Sequence, residues 1–324
     1  MIEMLTQATG QNFLDCFQAV AKRELRFLEQ FSKLRLHVEL YLRELQDFQL
    51  QHPSYHADLL RDYLRLAPSL DIDPGSRFSR PTLRHADFSP SNILVNDEND
   101  SIGIIDWQHS VALPLCLCAG IPRHFQNWGG PVSEALKAPA TKLPEHFDTL
   151  DPAEQRSVQE TMRRRLVHFY YGAITLKKMK DHFDALRDEK AMLRAKLYDR
   201  ARAPWEGDSL SLEHGIIQVQ ESWPMSLEGS PTSAQRECPV KYSSERTRAC
   251  QEKVKEEEDR LNDLEEMREM LGTDALGWVE DDEHYQMATE LKEAIRTTLS
   301  KECSTEKERI AVRDHFPFDD HDEE

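Results

Sequence analysis

Two short stretches decide the fold of this chain: His85-Ala86-Asp87-Phe88-Ser89-Pro90-Ser91-Asn92 and, further along, Ile104-Ile105-Asp106-Trp107. Between them lie two runs rich in aliphatic residues, 92–95 and 102–105, which are separated by turn-forming residues at 96–100. This pattern predicts a β-hairpin. Because a hairpin returns the chain to its starting edge, Asp87, Asn92 and Asp106 are expected to border one cavity.

These residue types suit phosphoryl transfer. The reaction needs a carboxylate beside the attacking hydroxyl and oxygen ligands that hold Mg²⁺ against the nucleotide phosphates. Asp87 can supply the carboxylate, while Asn92 and Asp106 can supply the ligands. Mg²⁺ prefers few protein oxygens together with phosphate and water. The alternative is that these residues only form turns and caps, which Asp and Asn favour in any protein.

The whole segment resembles the catalytic loop and metal-binding aspartate of the protein-kinase-like superfamily, in the version seen in aminoglycoside phosphotransferases. Pro90 within the loop, an aliphatic strand after it and the Ile-Ile-Asp-Trp run carry the resemblance. It implies that Asp87 is the catalytic base and that His85 braces the loop. It also implies that Asn92 and Asp106 bind Mg²⁺, and through it the phosphates of ATP.

A weaker resemblance covers most of the chain. The sequence through Pro122 and at 163–171 is similar to the fungal phosphotransferase-like group related to altered-inheritance-of-mitochondria proteins, which implies a mitochondrial location. The N-terminus shows no secretory or transit signal, and six cysteines without regular spacing predict a reducing, intracellular compartment. Cys116 and Cys118, with His124, raise the alternative of zinc, but their apolar neighbours favour buried thiols.

Departures from the pattern limit the function. Ser89 stands where protein kinases carry lysine, and Asp106-Trp107-Gln108 stands where they carry Asp-Phe-Gly. The expected substrate is therefore the hydroxyl of a small molecule rather than of a protein. Residues 113–116 also lack the acidic segment of antibiotic phosphotransferases, so aminoglycosides are not implied. Upstream there is no glycine-rich loop, and the only lysines, Lys22 and Lys33, are expected within the first helix. The nucleotide-covering lobe is therefore predicted to be absent, which indicates a truncated or inactive form.

Outside this segment, apolar residues at spacings of three and four predict a mainly helical chain. The predicted helices are 13–34, 36–50, 53–66, 151–182, 183–200 and 245–271, and a short strand is expected at 83–85. In the fourth helix the expected buried residues are Val158, Met162, Leu166, Phe169, Ala173 and Leu176. The fold class is thus α+β and mainly α: residues 1–203 form a kinase-like C-terminal lobe with one small hairpin, and residues 204–324 form a linker and an acidic helical extension.

The net charge of −18 is concentrated at the C-terminal end. Residues 201–324 hold 15 Lys and Arg against 32 Asp and Glu, and the chain ends in an acidic tail at 319–324. Such a field disfavours nucleic acids and anionic membranes as partners. The longest apolar run, 111–119, is too short to span a membrane and is expected to be buried. The alternative to an enzyme is a non-catalytic interaction protein that binds a partner through the acidic C-terminal helices.

Overall fold

A computed structural model describes residues 12–128, 130–223, 237–273, 279 and 281–318. The chain forms two compact units that interleave along the sequence. The first unit comprises Met1–Val20, Leu66–Asp199 and Ser222–Glu237, and the second comprises Ala21–Arg65, Arg200–Glu221 and Cys238–Glu324. The division into functional parts at residue 203 stays a prediction.

Helices dominate the described residues, which confirms the mainly α fold class. They are α1 (Phe13–Phe31), α2 (Pro53–Leu66), α3 (Leu115–Cys118), α4 (Pro131–Glu134), α5 (Pro152–Lys178), α6 (Lys180–Arg187), α7 (Glu189–Arg202), α8 (Leu210–Glu221), α9 (Ser244–Leu271), α10 (Asp282–Glu302) and α11 (Glu306–Asp314). None of the helices in the described part of the chain combines the length and the apolar character needed to cross a membrane.

Two small antiparallel sheets form in the described residues. Strand β2 (Ile93–Val95) pairs with β3 (Ser101–Ile104), as the hairpin prediction required. Strand β1 (Pro81–Arg84) pairs with β4 (Val111–Pro114), a strand that was not predicted. The apolar run was expected to be buried, and this is only half correct: Val111 is 46% exposed, while the residues of α3 from Leu115 to Leu117 are buried.

The first helices follow their patterns in part. Helix α2 has the predicted bounds and begins at Pro53, whose fixed φ suits the first helical position. Helix α1 ends at Phe31, before the predicted end. The predicted helix at 36–50 is wrong, because only a 3₁₀ helix at Leu40–Gln46 forms there. The backbone of Asp47 and Phe48 is left-handed, with φ of 52° and 55°, and this conformation ends the helix.

The long helical region is divided differently from the prediction. Breaks occur at Met179 and Asp188, between α5, α6 and α7, instead of at 182. The predicted inner face of α5 is correct only in part: Val158, Met162, Leu166, Phe169 and Ala173 are half-buried, but Leu176 is 48% exposed, whereas His168 is fully buried. His168 lies inside because its ring accepts a hydrogen bond from the Asn127 backbone (2.9 Å) and donates to the Ser133 carbonyl (3.2 Å). These hydrogen bonds satisfy the ring and allow His168 to be the most deeply buried side chain of the helix.

The acidic C-terminal part is also helical. Helix α9 matches the predicted charged helix, and the Ser243 side chain caps it by accepting from the Arg246 N–H. Helix α8 was missed, because Ser, Gly and Pro surround it in the sequence, although it buries Ile216 and Ile217 completely. The acidic tail at 319–324 lies outside the described residues.

Each unit has its own apolar core. In the first unit, Phe17 stacks on Tyr198, and the buried Arg194 donates from Nε to the Leu70 carbonyl at 2.7 Å. In the second unit, Leu60 and Tyr63 of α2 are fully buried.

Candidate active site

The loop before β2 is closed by a buried asparagine. Pro90–Asn92 forms a 3₁₀ turn that begins after Ser89, and Pro90 at its first position favours that turn. The Asn92 amide nitrogen donates to the main-chain oxygen of Asp87 at 2.8 Å and to Oδ2 of the same residue at 3.3 Å. The turn therefore places the Asp87 carboxylate beside the Asn92 amide.

His85 ties this loop to the end of the hairpin. Its buried ring lies with Nε2 2.8 Å from the Ile105 carbonyl, so Nε2 carries the proton, because a carbonyl only accepts. The ring also meets Trp107 edge to face at 4.8 Å between centroids. These contacts are the ones that a bracing role requires. Its other nitrogen, Nδ1, is buried and has no hydrogen-bond partner among the described residues.

Asp106 lies at the same end of the hairpin as Asn92. Ile93 is opposite Ile104 in the sheet, and the Ile105 N–H donates to the Asn92 carbonyl at 3.0 Å. Asp106 follows directly, with a left-handed backbone at φ 61° and an exposed side chain. Backbone strain of this kind costs about 1–3 kcal/mol and often marks functional positions. The hairpin pairing thus brings the backbone next to Asp106 back to Asn92, and the cavity expected between these side chains stays a prediction.

A further residue, His124, approaches the proposed base. Its Nε2 lies 3.8 Å from Oδ1 of Asp87, and the two side chains are 46% and 66% exposed. Packing brings it there, because the Phe125 ring lies 5.6 Å from Phe88 and 6.0 Å from Tyr171. From the sequence, His124 was a candidate only for zinc, and its approach to Asp87 was not predicted. No local motif signals it, although the aromatic residues at 88 and 125 were visible.

The atoms available to bind a metal near this loop are not those typical of a zinc site. Burial raises the pKa of the Cys116 thiol to about 12 and also raises that of Cys118, so both stay protonated at neutral pH. The described residues contain no group of three or more His, Cys, Asp or Glu that could hold one metal ion. Asn92 and Asp106 instead offer a neutral and a charged oxygen. The Asn92 nitrogen is engaged, and its oxygen has no hydrogen bond within the described chain. This small oxygen set fits Mg²⁺ that is held largely by phosphate and water.

Comparison with known proteins gives the family context. Residues 12–115 match the phosphotransferase enzyme family, APH. The matched region includes the loop and Asp106, so the family resemblance predicted from the sequence is confirmed. No solved structure matches the chain.

Relatives with curated names are longer than this chain. A subtelomeric hrmA-associated cluster protein of Aspergillus fumigatus is 30% identical over 317 residues, which is 98% of this chain and 59% of that protein. The altered inheritance of mitochondria protein 9 of Kluyveromyces lactis is 22% identical over 218 residues, covering 63% of this chain and 33% of that protein. Its Saccharomyces cerevisiae counterpart is 24% identical over 210 residues, 62% of this chain and 30% of that protein. The chain therefore spans well under two thirds of these relatives.

Proposed function

We propose that this chain carries the transfer site of a small-molecule phosphotransferase. The observation that carries the proposal is the clamp between Asn92 and Asp87, at 2.8 Å and 3.3 Å. It holds a carboxylate where it can accept a proton from a substrate hydroxyl, and it leaves the Asn92 amide oxygen available for a metal ligand role.

The proposed roles divide among five side chains. Asp87 is the base, and His85 keeps the loop in place through the Ile105 carbonyl. Asn92 and Asp106 would hold Mg²⁺, and bound Mg·ATP supplies the phosphoryl group and neutralises its charge. His124 lies beside the base, with its Nε2 3.8 Å from Oδ1 of Asp87, and would help to orient that carboxylate.

An exposed apolar surface borders this site. Among the hairpin residues, Val95, Ile102 and Ile104 are 55%, 66% and 39% exposed, and Trp107 beside them is 46% exposed. Exposed apolar groups in one place mark a surface that binds something. We infer that a nucleotide base, and the part of a phosphotransferase that covers it, bury this surface.

The described residues before the loop offer little else to hold a nucleotide. β1 is the one strand found between residues 12 and 85 in the described chain, and it carries no lysine. Lys22 lies in α1, while Lys33 lies just after it, contrary to the prediction that both are helical. We therefore propose that these 324 residues alone bind ATP weakly and turn it over slowly.

Location, substrate and partner are proposed on three separate grounds. A mitochondrial location is proposed because two relatives are named as mitochondrial proteins. A small hydroxyl compound is proposed as substrate on the sequence departures from protein kinases. Binding of a protein partner through the acidic helices is the second candidate role, and a groove in that region favours it.

The test compares Asp87→Asn with Asp106→Asn in a form of the protein that includes a nucleotide-binding lobe. Asp87→Asn should abolish turnover and leave the affinity for Mg·ATP nearly unchanged, because this carboxylate acts on the substrate. Asp106→Asn should weaken Mg·ATP binding as well as turnover and raise the Mg²⁺ requirement. Calorimetry and ADP release measure the two quantities.

Asp97→Asn is the matched control, because this exposed turn residue lies outside the proposed site. It should change neither quantity. Equal loss of affinity in the Asp87 and Asp106 variants would make Asp87 a ligand or a cap, and no change in either would leave only the interaction role. Tight Mg²⁺-dependent ATP binding by the 324-residue chain alone would contradict the proposed weakness.

A further inference from the structure

The second unit contains a cavity of about 600 Å³ between its acidic helices. Its walls come from the 3₁₀ helix at Leu40–Gln46 and from α9, α10 and α11. Along α9 it follows the helix from Arg260 to Met270, a rise of about 15 Å. We call this elongated cavity the acidic groove.

The floor of the acidic groove is apolar and adaptable. Leu264 and Phe316 are almost completely buried there, Met267 is half-buried, and Met270 is 59% exposed. Methionine has a flexible, polarisable side chain that suits binding surfaces for varied apolar groups. The floor therefore offers contacts that the second unit itself leaves partly unused.

The carboxylates around this floor fall into two groups. Glu44 is paired with Arg260, and Glu308 accepts from the Ser304 and Thr305 N–H groups at 2.6 Å and 3.0 Å. These two carboxylates already have partners within the chain.

Three other carboxylates that line the groove have no such partners among the described residues. Asp263, Glu266 and Glu302 are exposed and make no ion pair or side-chain hydrogen bond with the described residues. Of the basic side chains at the groove, Arg260 is already paired, and His315 contacts Arg43 at 3.1 Å and stacks on Phe48. The rim therefore keeps excess negative charge above an apolar floor.

The charge and the shape of the acidic groove indicate what kind of ligand it binds. The excess of acidic residues in 201–324 argues against a second copy, because two such surfaces repel each other. An anionic lipid surface is disfavoured for the same reason. The length of the groove along α9 matches about ten residues of a helix, and helices place apolar anchors at spacings of three and four on one face.

We propose that the acidic groove binds a basic amphipathic helix of a partner protein. The apolar face of that helix packs on the floor formed by Leu264, Met267 and Met270, and its Lys or Arg side chains meet Asp263, Glu266 and Glu302. This role is independent of phosphoryl transfer, because the groove lies in the second unit and the transfer site in the first.

The test uses the 324-residue chain and a fluorescent peptide of about 16 residues with Leu at one helical face and Lys elsewhere. The control peptide has the same composition with Leu and Lys arranged so that no helical face is apolar. Titration by fluorescence anisotropy at about 0.15 M salt should give micromolar affinity for the first peptide and at least about tenfold weaker binding for the second.

Variants of the chain separate the groove from general acidity. Neutralising Asp263, Glu266 and Glu302 together (Asp→Asn, Glu→Gln) should weaken binding about tenfold. The matched triple of exposed acids outside the groove, Glu256→Gln, Asp259→Asn and Glu283→Gln, should change it less than about twofold. Equal weakening by both triples would overturn the proposal, since binding would then follow total charge.

Met270→Asp distinguishes an apolar floor from electrostatic attraction. The side chain is largely exposed, so the substitution leaves folding intact, which circular dichroism verifies. It should weaken peptide binding several-fold despite the added negative charge, because an apolar contact is lost. Tighter binding by this variant would overturn the proposal. Sedimentation that shows a dimer of the free chain, dissociated by Met270→Asp, would assign the groove to a second copy instead.

Discussion

Acid should destabilise the second unit through His56, a buried histidine of α2. The ring is 4% exposed, its Nδ1 lies 3.2 Å from the Ser209 hydroxyl, and its Nε2 has no hydrogen-bond partner among the described residues. Burial lowers the pKa of His56 to about 4, and the charge of Asp208 opposes this shift only in part. Protonation would bury a cation whose second N–H finds no acceptor.

The sign and size follow from proton linkage. The folded pKa of His56 lies below the unfolded value of about 6.5, so the unfolded chain binds the proton first as the pH falls. The stabilisation from the neutral ring is complete above about pH 7 and decreases from there towards pH 4. Integrated between pH 8 and pH 5, this amounts to about 2 kcal/mol, with a slope approaching 1.4 kcal/mol per pH unit.

Urea unfolding at a series of pH values measures this effect. Between pH 5 and pH 6, the slope of the unfolding free energy against pH should be smaller in the variant His56→Gln than in the unmodified chain. The difference should approach about 1.4 kcal/mol per pH unit, which corresponds to nearly one proton. His146→Gln, at an exposed histidine, is the matched control and should keep the original slope. Burial also lowers the pKa of His37, so part of the acid sensitivity should persist in the variant. An unchanged slope in His56→Gln would refute the reasoning.

Two further predictions concern backbone and core. Gly207→Ala should destabilise by about 1–3 kcal/mol in thermal unfolding, because Gly207 has φ of +87° and a Cβ there would lie 2.6 Å from the Leu36 carbonyl oxygen. Gly103→Ala, where the nearest side-chain atom lies at 3.6 Å, should stay within about 0.5 kcal/mol, and equal effects would contradict the steric argument. Leu60→Ala, at a fully buried position, should lower the unfolding free energy by about 2–5 kcal/mol in urea, whereas a loss below 1 kcal/mol would place Leu60 outside the core.

Local patterns predicted the part of the fold that local contacts form. The hairpin of β2 and β3 was predictable, because a few turn residues separate its strands and their chemistry is visible in sequence. The β1–β4 pair was not, because each strand is short and acquires its partner only through tertiary packing. Contacts outside the local pattern also decide the structure at 36–50. There Arg35 pairs with Gln51, and residues with a left-handed backbone interrupt the predicted helix.

The contacts of the candidate site were likewise predictable only where they are local in sequence. Asp87 and Asn92 lie in one turn, so their contact follows from spacing within the chain. His124 reaches Asp87 through aromatic packing of Phe88, Phe125 and Tyr171, which no single-sequence pattern encodes. The burial of His168 in α5 was missed for a related reason, since its ring is held by hydrogen bonds to a loop that is distant in sequence.

Exposure of the candidate site limits what it can do without a cover. Two unit charges 4 Å apart interact by about 1 kcal/mol in water but by about 4 kcal/mol at an effective dielectric constant near 20. Asp87 and His124 are separated by 3.8 Å and are both substantially exposed, so water screens any attraction between them in the free chain. The neighbouring apolar hairpin is the surface that a cover would bury, and burying it would also remove water from Asp87. We therefore propose that one event both buries the apolar surface and strengthens the electrostatic interactions around Asp87, and that the catalysis proposed for Asp87 depends on it.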